Sequence, residues 1–182
     1  MKKNIFIIGG SLRSKSYNKF LASNLIDIGK YVFNFEIFSE FNLLPMYNTD
    51  DHVEGNWPEV LVEIGEKINS ADGVIFITPE YNFSVPGYLK NCIDWISRLP
   101  KQPLDKKPVC IQSASLGPLG GARVQYHLRQ ILVFLNARVM NKNEIFVTFA
   151  KNKFDETGKL IDEQTINFIK GQLEGFRDFI NE

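Results

Sequence analysis

Residues 1–182 are expected to fold as one α/β domain, an open three-layer arrangement of five parallel strands in the order 2-1-3-4-5 with helices on both faces. Three observations lead there. Five segments rich in β-branched and aromatic residues alternate with segments of helical periodicity, the pattern that builds parallel sheets. Three of the strand segments are almost continuously apolar, as strands are when both of their faces are covered. The 182 residues, 44% hydrophobic and 23% charged, supply one substantial core, with no repeats or Pro/Gly-rich linkers to divide it.

The first strand spans 4–8 and stops at Gly9-Gly10. Leu21, Leu25 and Ile28 then recur at helix spacing. The second strand, 32–38, partly alternates (Val32-Phe33-Asn34-Phe35-Glu36-Ile37-Phe38), which places it at an edge with one wetter face. Val60, Ile64, Ile68 and Ala71 mark the next helix, and the third strand, 74–78, is apolar throughout. Leu89, Cys92, Ile93 and Ile96 form the third helical stripe, ahead of the fourth strand at 109–113. Val124, Leu128, Ile131, Leu132 and Leu135 form the fourth, and the fifth strand is placed at 138–147. Ile166, Ile169, Leu173, Phe176 and Ile180 close the chain on a helix. Right-handed crossovers with five strands favour 2-1-3-4-5 and put the topological switch beside strand 1, near the loops that follow strands 1 and 3. The irregular stretches 39–56 and 151–162 read equally as substrate-side or subunit-contact loops and as solvated connections.

Composition narrows the partners. The 21 basic and 21 acidic residues cancel, so no global field attracts a nucleic-acid backbone or an anionic membrane. The apolar run after Met1-Lys2-Lys3 ends at Gly9, short of a signal-peptide core, and no run approaches the length of a bilayer span. A cytoplasmic location follows as the default, with neither nucleic acid nor membrane as partner. Cys92 and Cys110 fall on apolar helix and strand positions and read as small buried hydrophobes. His52 among Asp50, Asp51 and Glu54 reads as a solvated loop rather than a metal site, and no pairing of His127 with a Ser or Cys is justified by the sequence. Neither a metal nor a covalent nucleophile is expected.

Three loops leave the same edge of the sheet. The first, Gly9-Gly10-Ser11-Leu12-Arg13-Ser14-Lys15-Ser16-Tyr17-Asn18, leads into a helix N-terminus and offers hydroxyls, an amide and a guanidinium, the donor set for a phosphate. It lacks G-x-G-x-x-G and P-loop spacing, which weakens dinucleotide and nucleoside-triphosphate readings. Ser16-Tyr17-Asn18-Lys19 matches S-x-x-K, but the companion motifs S-D-N and K-T-G are missing. Ser14 or Ser16 is also a helix N-cap candidate. In the second loop, Thr78-Pro79-Glu80-Tyr81-Asn82-Phe83-Ser84-Val85-Pro86-Gly87, an aromatic ring, two prolines and unpaired amides suit the edge of a flat polar heterocycle. Glu80 is assigned no proton-transfer role. In the third, Ser113-Ala114-Ser115-Leu116-Gly117-Pro118-Leu119-Gly120-Gly121-Ala122-Arg123, glycines permit close backbone approach to a ligand.

The combination of Gly10-Ser11-Leu12-Arg13, Ser16 and Asn18 with Thr78-Pro79-Glu80-Tyr81-Asn82, Ser84, Pro86-Gly87, Leu89-Lys90-Asn91 and Ile93-Asp94-Trp95 resembles the flavodoxin-like NAD(P)H-dependent FMN reductases. Gly120-Gly121-Ala122-Arg123 and the run from Gln125 to Leu132 resemble the chromate or quinone reductase branch. The resemblance implies bound FMN, with NADPH or NADH as co-substrate. Ser11, Arg13, Ser16, Tyr17 and Asn18 would surround its phosphate; Pro79, Glu80, Tyr81 and Asn82 would line the isoalloxazine, and Ser115 would touch it from the third loop. Hydride would pass from nicotinamide to flavin N5 and on to quinones, azo dyes, nitroaromatics or chromate by ping-pong exchange, with no catalytic side chain. It also implies a homodimer or homotetramer, with Arg123, Tyr126 and Glu144 at subunit contacts. Phe83 stands where close relatives can carry tyrosine, so an interface bond from that hydroxyl is absent. Two alternatives stay open: a flavodoxin-type electron carrier that ignores nicotinamide, and a Rossmann-type dehydrogenase, which the missing third glycine disfavours.

Overall fold

The computed structural model describes residues 2–9, 11–51 and 57–182. Strands and helices alternate along them: β1 (Lys3–Gly9), α1 (Tyr17–Gly29), β2 (Phe33–Phe38), α2 (Glu59–Ser70), β3 (Gly73–Ile77), α3 (Gly87–Ile96), β4 (Pro108–Ala114), α4 (Ala122–Phe134), β5 (Arg138–Val139), β6 (Ile145–Val147) and α5 (Glu163–Asn181). The strands pair in parallel in the order β2-β1-β3-β4-β5, with β6 also on β4. β2 lies at the edge, as its partial alternation anticipates.

Alternate residues of the central strands feed two apolar layers. Phe6, Ile8, Val74, Phe76, Val109 and Ile111 pack under α2, α3 and α4. Ile5, Ile7, Ile75, Ile77 and Cys110 pack under α1 and α5. Each fully buried aliphatic side chain is worth about 1.5–3 kcal/mol relative to exposure, so the stripes read from the sequence are what hold the helices down. Among the described residues no helix is long and apolar enough to cross a membrane.

The outermost strand departs from expectation. The segment 138–147 is two short strands rather than one. β5 ends in register with Val109 and β6 resumes in register with Gln112, so three residues of the outer strand loop out. Arg129 Nη1 holds the break open by donating to the Met140 carbonyl (3.0 Å) and to Asn141 Oδ1 (2.9 Å), and Asn143 turns the chain at φ +57°. This is a bulge that ends pairing locally.

The described parts of the two irregular stretches, 39–51 and 151–162, are tied down; residues 52–56 lie outside the described residues. The carbonyl of Pro45 accepts from both Asn91 Nδ2 and Trp95 Nε1 at 2.8 Å, which fastens the chain after β2 onto α3. Phe154 and Leu160 are buried against α1, and Asn24 bonds both the Gly158 carbonyl and the Leu160 amide.

Candidate functional site

Parallel pairing carries the ends of β1, β3 and β4 to one rim, where the three loops meet. Ser16 caps α1, its hydroxyl accepting from the Asn18 amide at 3.3 Å. Ser11 is buried; its Oγ accepts from the Arg13 amide (3.2 Å) and shares a hydrogen bond with the Tyr81 hydroxyl (3.3 Å). Asn18 is 3% exposed and is used inside the protein, with Nδ2 donating to the Ala114 carbonyl and Oδ1 accepting from the Ala114 amide, both at 2.9 Å. The Tyr17 ring packs against Phe20 and Phe154. The Ser11–Tyr81 bond therefore joins the first loop to the second, and the Asn18 pair joins it to β4 just ahead of the third.

Arg13, Ser14 and Lys15 are exposed at the entrance to α1, whose first turn holds no acidic residue. Among the described residues neither cation takes part in a salt bridge, and the helix dipole adds positive potential at the same place. Gly10 of this loop lies outside the described residues, as do His52 and Glu54 of the acidic histidine segment.

The second loop turns sharply. Tyr81 and Ser84 exchange backbone hydrogen bonds of 3.1 and 3.0 Å, and the two residues between them have positive φ, Asn82 at +50° and Phe83 at +66°. That is a two-residue hairpin turn of the kind Asn-Gly normally makes. With phenylalanine in the second place, backbone strain is held by the surroundings. The Arg123 guanidinium lies 4.0 Å from the Phe83 ring centroid. Glu80 turns its carboxylate away from the loop and toward α4, where Oε2 accepts from the Val124 amide at 3.1 Å and Oε1 lies 3.6 Å from Arg123 Nη1.

In the third loop the glycines serve two purposes. Gly120 and Gly121 have φ +58° and +88°, and a Cβ there would come within 2.7 Å of the Phe146 backbone and of Ser113 respectively. These two admit tight packing inside the protein. Gly117, by contrast, and Gly87 at the start of α3 face open space. Ser115 is partly buried, its amide bonded to the Val147 carbonyl.

The family described as NADPH-dependent FMN reductase matches residues 3–152. The chain belongs to this FMN reductase family. It is 47% identical over 180 residues to a quinone reductase of Escherichia coli (strain K12), covering 98% of this chain and 96% of that one. It is 41% identical over 179 residues to an NAD(P)H-dependent FMN reductase of Pseudomonas aeruginosa, covering 97% and 96%. A flavoenzyme NAD(P)H:(acceptor) oxidoreductase from Paracoccus denitrificans superposes with a TM-score of 0.88 at 31% identity, covering 98% and 97%. The fold is flavodoxin-like, as the strand order requires.

The residues of this FMN reductase fit its flavin. Hydroxyls, two cations and a helix N-terminus are the donor set for a phosphate, and a Cβ at Gly87 or Gly117 would meet nothing within 4 Å, so the backbone is open to close approach at both. Sequence reasoning missed Tyr88, which contacts the Ser11 and Tyr81 hydroxyls; burial raises its phenol well above the usual value, with the Ser11 bond pulling the other way. Its place directly after Pro86-Gly87 was the available signal. The sequence also showed no partner for His127, yet its Nδ1 lies 2.9 Å from Ser84 Oγ, because the hairpin folds over α4 and closes a gap of 43 residues. Tyr126 and Glu144 meet each other (3.2 Å), and Glu144 also meets Arg129 (3.4 Å).

Proposed function

We propose that this FMN reductase is an NAD(P)H-dependent oxidoreductase whose acceptors are quinones and other flat molecules, azo and nitroaromatic compounds among them, with chromate as a further acceptor. The observation that carries the reading is the joining of three ligand-suited loops, through Ser11–Tyr81 and Asn18–Ala114, beside the exposed cations at the head of α1. FMN, when bound, supplies the chemistry, accepting a hydride from the nicotinamide and returning reducing equivalents to the acceptor.

The chain's own groups bind and orient. In this reading Arg13 pairs with the phosphate, while Ser11, Ser16, Tyr17 and Asn18 shape its loop through backbone groups and internal bonds. Pro79, Glu80, Tyr81 and Asn82 offer the rigid backbone edge beside the ring, and Ser115 offers its partly exposed hydroxyl. Donors fixed before the ligand arrives need no reorganisation when charge develops on it. No side chain is assigned proton transfer. The whole chain, 1–182, acts as one domain in a cytoplasmic homodimer or homotetramer, with Arg123, Tyr126 and Glu144 near the subunit contact.

Two measurements test this. Purified protein should be yellow or become so with FMN, and should oxidise NADH or NADPH when a quinone is supplied. Oxidation by neither nicotinamide, with FMN bound, would leave the electron-carrier alternative. Arg13→Ala should weaken FMN binding by about 1–3 kcal/mol, the range for a charge-assisted contact, with little change in melting temperature. Equal affinity in a fluorescence titration would remove the phosphate role of Arg13.

A further inference from the structure

α4 begins without a cap of its own. Its first turn follows Gly121, which has no side chain to accept the free amides of that turn, and the turn contains no acidic residue. Position 121 cannot supply one, because a Cβ there would sit 2.7 Å from Ser113 and φ is +88°. The cap comes from elsewhere. The Val124 amide, the third of the helix and one of those an N-cap side chain ordinarily satisfies, donates to Glu80 Oε2 at 3.1 Å. The Glu80 side chain is only 13% exposed.

The same end of α4 holds the second loop at two further points, Arg123 on the Phe83 ring at 4.0 Å and His127 on the Ser84 hydroxyl at 2.9 Å. Between these tethers lie the positive-φ residues Asn82 and Phe83. On the opposite side Tyr81 is bonded to Ser11. The backbone of 79–83 is thus tied both to the first loop and to α4, and the left-handed position of Phe83 is one a bulky residue would not keep unaided.

We propose that Glu80 is a positioning residue: by capping α4 across the site, its carboxylate fixes the second-loop backbone where it meets the flavin ring. The inference rests on the FMN reading above. It assigns the glutamate a mechanical task through Val124, fulfilled by an oxygen acceptor at the right reach, the 3.6 Å ion pair with half-exposed Arg123 adding little.

Two substitutions separate reach from charge. Glu80→Gln keeps the side-chain length and an oxygen for the Val124 amide but loses the charge. Glu80→Asp keeps the charge but falls one methylene short. FMN affinity by fluorescence titration should be within about threefold of wild type for the Gln variant and about tenfold weaker for the Asp variant, the scale of a lost helix cap. Amide hydrogen exchange of the flavin-free proteins should be faster in the Asp variant at 79–85 and 121–127, and unchanged in the sheet. The reverse order of affinities, or wild-type affinity and exchange in the Asp variant, overturns the proposal. A wild-type protein that takes up no FMN would remove the flavin reading itself, and the exchange comparison would then decide the cap alone.

Discussion

Phe83 holds a left-handed backbone position that a β-hairpin turn normally gives to glycine, and its stacking under Arg123 offsets part of the strain. Exposed cation–aromatic pairs contribute about 0.5–1 kcal/mol. A double-mutant cycle of Phe83→Leu with Arg123→Met, followed by denaturant unfolding, should give a coupling in that range; additivity would mean that the two residues are merely neighbours. The cysteines illustrate what sequence conveys well. Both fall on apolar stripes, both are free and buried, and burial pushes each thiol up to about 12. Neither should react with a thiol reagent at neutral pH until the protein unfolds, and fast labelling of either in native protein would contradict the packing. Single-residue roles at the rim were legible only in part. Ser16 as a cap follows from local pattern, since its partner is two residues away. The Glu80 carboxylate and the Ser84–His127 pair connect positions more than forty residues apart, and no local pattern encodes which side chain turns toward which helix.

Helices and central strands were legible because each has to bury a stripe, and burial imposes a period on the sequence. The outer strand was not, because its interruption depends on Arg129 reaching from α4 to Met140 and Asn141, a contact with no period. The start of α5 offers a pH test at this scale. Asp162 caps the helix through the Thr165 amide at 3.0 Å and also accepts from the Thr165 hydroxyl. These bonds, the hydroxyl's foremost, together with Lys153 hold its carboxyl below the usual carboxylate value despite some opposing desolvation. The ionised form is therefore the one that folding favours. Its contribution is complete above the unfolded-state value near 4 and is lost as pH falls through the lowered folded-state value. Asp162→Asn retains an acceptor for the Thr165 amide and cannot titrate, so its melting temperature should decline less steeply than wild type as pH falls below about 4. Parallel declines would show that the cap carries no linkage.

At the scale of the whole molecule, α4 has two faces with different fates. Val124, Leu128 and Leu132 are sealed against the sheet, whereas Tyr126, Val133 and Phe134 stand in solvent, the last two at 76% and 80% exposure. Beside them a groove between α3 and α4 is lined by Ile93, Ile131, Phe134 and Leu135, with Lys90, Asp94 and Arg98 at its margin. An apolar stripe rimmed by charge of both signs is the form of a protein–protein contact, and the mixed charges suit a self-complementary surface related by a two-fold axis. The same helix carries Arg123, Val124 and His127, the anchors of the second loop, so a partner covering α4 would also stiffen the rim. In a two-fold contact each substitution acts twice. Replacing Phe134 with lysine should therefore forfeit two buried rings at about 1.5–3 kcal/mol each, raising the dissociation constant by a hundredfold or more. Sedimentation equilibrium should find wild type associated and Phe134→Lys monomeric at micromolar concentration, with unchanged circular dichroism. A monomeric wild type, or a variant that associates equally well, would show that this stripe is not the contact.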